Sequence, residues 1–199
     1  MTHSFSPTPL LHAKLKRYTT LLKTKGAFTN LISKQDLHAP DQCFWKRHIE
    51  DSATLEPYVR HWPGFVDMGS GAGLPGIVLA ILTKKPAYLV ESRLKKAHFL
   101  REVVQELDLH QVSVCHERLE NLPQFQNVHF VSRAFRPLLF TLRLMRAHFR
   151  EDLVYVCLKG ENWRQEVTLA QKEFSFRLEV FPNVTHPKGR ILRLTEISA

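Results

Sequence analysis

The sequence predicts an α/β protein built on a doubly wound, mostly parallel, seven-stranded sheet, and three observations predict it. From residue 65 onward, seven short segments rich in β-branched and aromatic residues are interspersed with segments whose apolar residues recur at helical spacing. The first of these strands runs straight into Gly69, Gly71 and Gly73, three glycines at alternate positions ahead of Pro75 and a run of helix formers. The last two strands have no helix between them and so form an antiparallel hairpin. Alternating βα units call for parallel strands joined by short right-handed crossovers.

Taken in chain order, Thr8 and Pro9 form an N-cap and first-turn pair, and Leu11, Leu15, Tyr18 and Leu22 keep helical spacing up to Gly26. A second helical stretch follows Pro40, with Phe44, His48 and the segment IEDSATLEPYV. Residues 1–62 thus read as a helical extension packed on a Rossmann-like unit of residues 63–199. In that unit FVDM leads to the Pro75 helix, and AYLVE to a helix with Phe99, Leu100, Val103, Val104 and Leu107. VSVCH and HFVS come next, then a helix carrying Leu138, Leu142, Met145 and Phe149. LVYVCL precedes a helix with Trp163, Val167, Ala170 and Phe174. RLEVF and ILRL close the chain around a turn containing Pro182, Asn183, Pro187 and Gly189.

The glycine turn carries the functional signal. Alternating glycines let the backbone enter φ > 0 and let a ligand lie on the main chain. The following helix aims unpaired N–H groups and a partial positive charge at the same spot, and Pro75 suits its first turn. Two frames fit. Gly71, Gly73 and Gly76 satisfy G-x-G-x-x-G, with Glu91 twenty residues beyond Gly71, the pattern of dinucleotide-binding oxidoreductases or nucleotide sensors. Asp67-x-Gly69-x-Gly71-x-Gly73 is instead the pattern of S-adenosylmethionine-dependent methyltransferases, again with Glu91 as the ribose ligand. Asp67 tips the balance. A carboxylate ahead of the turn repels a pyrophosphate but suits a cofactor bearing an ammonium and a sulfonium.

Composition narrows the partners. The chain has 199 residues, enough for a full core, and its apolar runs reach only about six residues, as in IVLAIL. That is far short of the ~20 needed to span a bilayer, and no signal-peptide h-region is present. Cys43, Cys115 and Cys157 sit in no metal or disulfide spacing, which fits a reducing cytosol. With 28 basic and 19 acidic residues the net charge is +9, which points to a polyanion, RNA or DNA rather than membrane. The basic residues fall in three acid-poor clusters: Lys14, Lys16, Arg17, Lys23, Lys25 and Lys34; Arg93, Lys95, Lys96 and Arg101; and Arg133, Arg136, Arg143, Arg146 and Arg150.

GSGAGLPG, KKAHFL, RLENL, SRAF and LKG, in this order and spacing, together with the upstream RHIEDS, resemble the bacterial ribosomal RNA small-subunit methyltransferase G family. The resemblance runs from about Asn30 to Lys159. It implies a class I methyltransferase fold and a cytosolic enzyme without a metal. Such an enzyme uses S-adenosylmethionine to methylate guanine N7 in 16S rRNA, free or within the small ribosomal subunit or its assembly intermediates. Carried over by position, Gly69 and Leu74 are cofactor contacts, joining Gly71 and Gly73 from the glycine pattern, and Leu119 and Glu120 flank the adenine. Arg133 lies at the cofactor and substrate mouth, where it is expected to hold a phosphate or the cofactor carboxylate. Methylation of a free N7 lone pair needs no general base, so catalysis is positioning, with Arg133 the one candidate for a direct role. Glu91 stands where an Asp is more usual. Asn30-Leu31 continues into Ile32, and SRAF into Arg136-Pro137, departures that affect the RNA-facing rim. Phe135 and Phe28 are candidates to stack on the target base.

Other constellations are set aside. His48, Asp51 and Ser52 contain triad residue types, yet a helix N-cap suits Asp51 or Ser52 better. Cys115-His116 lacks metal-ligand spacing. Lys159 falls at the carboxyl edge of a strand, as a phosphate contact or a surface lysine.

Overall fold

A computed structural model describes residues 5–29 and 31–199, apart from the side chains of residues 26–29 and 34. The first helix, α1 (Pro9–Thr29), buries Leu15, Tyr18, Leu21 and Leu22. It does not stop at Gly26, since one helical glycine costs only ~1 kcal/mol. A single turn, α2 (Lys34–Leu37), leads to α3 (Asp41–Trp45). The helix then passes without a break through a π-helical turn at Lys46–Glu50 into α4 (Asp51–Ala53). Asp51 and Ser52 therefore lie inside a helical run and cap nothing, contrary to the sequence expectation. The short α5 (Glu56–Val59) completes the N-terminal helices.

The sheet comprises β1 (Phe65–Met68), β2 (Ala87–Val90), β3 (Val112–Cys115), β4 (His129–Arg133), β5 (Tyr155–Lys159), β6 (Ser175–Pro182) and β7 (Arg190–Ser198). Their order is β3-β2-β1-β4-β5-β7-β6. The first five strands pair in parallel, while β7 is antiparallel to both β5 and β6. The predicted hairpin is present, with β7 inserted between β5 and β6 so that β6 becomes the edge. Strand β1 is central and buried along its whole length, which explains why FVDM shows little polar alternation.

Helices α6 (Gly76–Thr83) and α7 (Leu94–Glu106) cover one face with α1, over Phe65, Leu89, Val131 and Val156. Helices α8 (Leu138–Met145) and α9 (Trp163–Ala170) cover the other, over Val66, Met68, Phe130 and Tyr155. Polar ties dock α1 on the far end of α7: Lys14 Nζ donates to the Leu107 carbonyl at 2.9 Å, Arg17 pairs with Glu106 at 3.0 Å and Lys25 with Glu102 at 2.8 Å. Among the described residues no helix is long and apolar enough to cross a membrane. Strand order reverses between β1 and β4, and ligands of open α/β sheets bind at the carboxyl end of such a switch point. The glycine turn leaves β1 there, and the SRAF loop leaves β4.

Candidate cofactor and substrate site

All three glycines of the turn have positive φ, at 66° for Gly69, 56° for Gly71 and 92° for Gly73. Gly69 and Gly73 are also crowded by neighbours, whereas Gly71 is glycine for its backbone conformation alone. A Cβ on Gly69 would stand 2.3 Å from the Phe135 ring, and one on Gly73 2.6 Å from Ile77 and 2.9 Å from the Tyr18 hydroxyl. A Cβ on Gly71 would meet nothing closer than 3.7 Å, so the turn is open at its middle, with Lys96 Nζ at 3.8 Å. The loop is tied to β2 and to itself: Ser70 N–H donates to the Val90 carbonyl at 3.0 Å, and Gly73 N–H to the Ser70 carbonyl at 2.6 Å. Leu74, at the end of the turn, is buried against the α6 side of the core. Pro75 stands one place before α6, at the N-cap position and not in the first turn.

Two carboxylates take up the donors of this turn. Asp67 is fully buried, and its Oδ2 accepts from the Gly76 N–H at 3.0 Å. Burial pushes its carboxyl up to about 7. Glu91, just past β2 and 7% exposed, accepts from Gly71 N–H at 3.0 Å through Oε2 and from Arg93 N–H at 2.8 Å through Oε1. A pyrophosphate would need the same N–H groups and would lie against both carboxylates. That arrangement disfavours the dinucleotide frame. It fits a cofactor that offers hydroxyls to Glu91 and positive charge to the Asp67 side.

The turn after β3 sits beside Glu91, because Val90 and Cys115 are register partners. There Leu119 and Glu120 occupy a 3-10 turn spanning Leu119–Asn121, Leu119 buried and Glu120 paired with Arg118 at 2.8 Å. Arg133, at the end of β4, is committed within the protein. Its Nη1 donates to the Arg47 carbonyl at 2.9 Å and to Asp51 Oδ2 at 3.2 Å, and Nη2 to His48 Nδ1 at 3.2 Å. Asp51 Oδ1 in turn accepts from Asn183 Nδ2 at 2.8 Å and Thr185 Oγ1 at 2.5 Å. The π turn, β4 and the β6–β7 turn thus meet in one polar knot, and π turns recur at functional sites. Burial and the adjacent Arg133 guanidinium lower His48 to about 4, so its ring stays neutral and accepts from the arginine.

The SRAF loop carries Phe135 over Gly69, turned there by an exposed Ala134 at φ 49°. Lys159 is neither a free phosphate contact nor a surface lysine. Its side chain is 8% exposed, donates to the Arg136 carbonyl at 2.6 Å and pairs with Glu166 at 2.8 Å. Glu166 also accepts from the Leu138 N–H, so this pair braces the loop from below. Phe28, the other stacking candidate, and Asn30 lie outside the described residues and side chains. Three buried side-chain atoms lack a hydrogen-bond partner among the described residues: Asp67 Oδ1, His48 Nε2 and His148 Nδ1. The first two line this site, and the third lies behind the Leu119 turn. A cavity of about 860 Å³ opens elsewhere, by Leu11, Tyr58, Leu82 and Phe181, and is lined by no residue of the glycine turn.

Comparison with known proteins gives one consistent picture. The profile described as "rRNA small subunit methyltransferase G" matches residues 11–193. Proteins named "Ribosomal RNA small subunit methyltransferase G" are similar throughout. The one from Granulibacter bethesdensis is 37% identical over 187 residues, covering 93% of this chain and 85% of its own length. That from Gluconobacter oxydans is 34% identical over 185 residues, covering 93% of each. Among solved structures, a SAM-dependent methyltransferase from Aquifex aeolicus superposes with a TM-score of 0.59 at 13% identity, over 77% of this chain and 92% of that one. M. jannaschii TYW2 in complex with AdoMet gives a TM-score of 0.56 at 15% identity, over 74% and 73% of the two chains. These two show the fold.

Proposed function

The chain belongs to the rRNA small subunit methyltransferase G family, and from that premise we propose that it methylates N7 of a guanine in 16S rRNA with S-adenosylmethionine as methyl donor. The observation that carries the cofactor half is the pair of carboxylates, Asp67 and Glu91, that occupy the glycine-turn donors a pyrophosphate would require. When bound, S-adenosylmethionine supplies a methyl already activated by its sulfonium, which passes to the free lone pair of N7 with release of S-adenosylhomocysteine and no proton. The chain therefore needs no general base. Its work is positioning, worth up to roughly 7–11 kcal/mol in favourable intramolecular cases.

In this reading Gly69, Gly71, Gly73 and Leu74 form the bed for the methionine half, and Glu91 holds the ribose hydroxyls. Leu119 and Glu120 flank the adenine. Arg133 shapes the mouth through Asp51 and His48 rather than touching the base, where a cation would oppose the charge that develops on the ring. Guanine N7 lies in the deep major groove of A-form RNA, so the base must be unpaired or turned out. Phe135 beside Gly69 is the aromatic face offered to it. Residues 1–62 act as a helical buttress for residues 63–199, because α1 and α7 consume each other's charges.

The phosphate track is then assigned to the rim: Arg93, Lys95 and Arg136 are exposed and form no ion pair among the described residues. The substrate is the rRNA, alone or in the small subunit as it assembles, in the cytosol. Calorimetry with S-adenosylhomocysteine and with NADH tests the cofactor reading. Binding of the first alone is expected; binding of NADH and not of S-adenosylhomocysteine overturns it.

A further inference from the structure

His148 is fully buried in the 3-10 turn Arg146–His148 behind α8. Its ring packs between Phe125, at 5.6 Å, and Phe130, at 5.4 Å between centroids. A position of this kind favours an apolar ring, and a histidine there has two nitrogens to satisfy. One is satisfied: Nε2 lies 3.3 Å from the Leu119 carbonyl, and since a carbonyl only accepts, Nε2 carries the proton. The other, Nδ1, is buried with no partner. Burial also lowers the pKa of the ring, so it stays neutral and keeps this tautomer. An imidazole that leaves Nδ1 bare in order to reach Leu119 is held there for the bond it makes.

That bond ends on the 3-10 turn Leu119–Asn121, whose own hydrogen bonding is sparse: Asn121 N–H to the Arg118 carbonyl and Leu122 N–H to the Leu119 carbonyl, each at 3.1 Å. Two exposed side-chain bonds, Arg118 Nε to Glu120 at 2.8 Å and Asn121 Nδ2 to Glu117 at 2.9 Å, add to these; Leu119 is buried and Glu120 exposed, so the His148 bond is the buried polar tie. We propose that His148 is a positioning residue for the adenine half of the cofactor site, fixing the Leu119–Glu120 turn through its Nε2–H. The inference rests on the methyltransferase reading above and adds to it a residue 29 positions from the turn it holds.

The test compares His148→Phe, which keeps the ring and removes the donor, with His148→Gln, which restores a donor at similar reach. His148→Leu replaces the Phe variant if that one does not fold. Steady-state methylation and calorimetry on the full chain are read together. Loss of one neutral hydrogen bond should raise KM for S-adenosylmethionine roughly tenfold in His148→Phe, leave kcat and the RNA KM near wild type, and be largely reversed in His148→Gln. Because the adenine is the part affected, 5′-methylthioadenosine should lose affinity by the same factor as S-adenosylhomocysteine. Wild-type affinity in His148→Phe overturns the proposal, as does a Gln variant no better than the Phe one. Loss confined to S-adenosylhomocysteine overturns it as well. Failure of the wild type to bind either ligand would instead count against the methyltransferase reading itself.

Discussion

The hydroxyl of Tyr18, on the N-terminal helix α1, donates a 2.7 Å hydrogen bond to the carbonyl of Ala72 in the middle of the glycine turn. Tyr18 is fully buried, and its hydroxyl also stands 2.9 Å from where a Cβ on Gly73 would be. The helical extension is thus part of the turn's support.

Tyr18→Phe should therefore leave the Ala72 carbonyl unpaired, with a stability loss of about 1–2 kcal/mol and a few-fold weaker hold on S-adenosylhomocysteine. Chemical denaturation and calorimetry on the same preparation check this. Lost stability with unchanged affinity would mean that the turn keeps its shape without α1.

Much of this was legible in the sequence because it is local. The alternating glycines announce their positive φ, and FVDM, AYLVE and VSVCH fall on β1 to β3 within a residue or two. What was not legible depends on distant pairing. Asp51 meets Asn183 and Thr185 across more than 130 positions, and no spacing rule links them. Lys14, Arg17 and Lys25 look like a nucleic-acid track until α7 is seen to supply their partners. Lys159 reads as an edge lysine until Glu166 and the Arg136 carbonyl close over it. His148 left no signal beyond its presence among 11 histidines.

Asp67 makes stability and cofactor binding depend on pH in opposite senses. Its folded carboxyl is raised from 3.8 to about 7, so its contribution to stability is present at acid pH and lost as pH rises through that window. A cationic cofactor prefers the ionised form, so affinity for S-adenosylmethionine should increase from roughly pH 6 to pH 8, with proton release below ~7. Asp67→Asn keeps an acceptor for the Gly76 N–H and should flatten both trends. Calorimetry in two buffers of different ionisation enthalpy measures the proton directly; no release in wild type would place Asp67 away from the cofactor's charge.

Glu91→Gln removes the charge while keeping one acceptor, and should weaken S-adenosylmethionine binding at least tenfold with the fold intact, since a charge-assisted bond is worth ~1.5–3 kcal/mol. Glu91→Lys should bind more weakly still and also melt earlier, because Gly71 and Arg93 N–H groups both lose their acceptor. Circular dichroism melts beside calorimetry separate the two effects. Wild-type affinity in a folded Gln variant would remove Glu91 from the ribose site.

The basic clusters divide by their partners. Neutralising Arg93, Lys95 and Arg136 should flatten the salt dependence of RNA binding, by a log–log slope of about 0.7 for each single-strand phosphate lost. Neutralising Lys14 and Arg17 should lower stability with little change in that slope, because their charges are spent on Leu107 and Glu106. Binding isotherms across a salt series decide it, and the reverse pattern would return the RNA track to α1.

The most direct test of the central claim is to incubate the purified protein with S-adenosylmethionine and small-subunit RNA or particles from a strain lacking its gene, then map the methyl group by mass spectrometry and by borohydride–aniline cleavage. A single 7-methylguanosine in 16S rRNA is expected, absent from the starting RNA and restored by the wild-type protein. A methyl on an exocyclic amine or a ribose hydroxyl, or no transfer by a protein that binds S-adenosylhomocysteine, would contradict it.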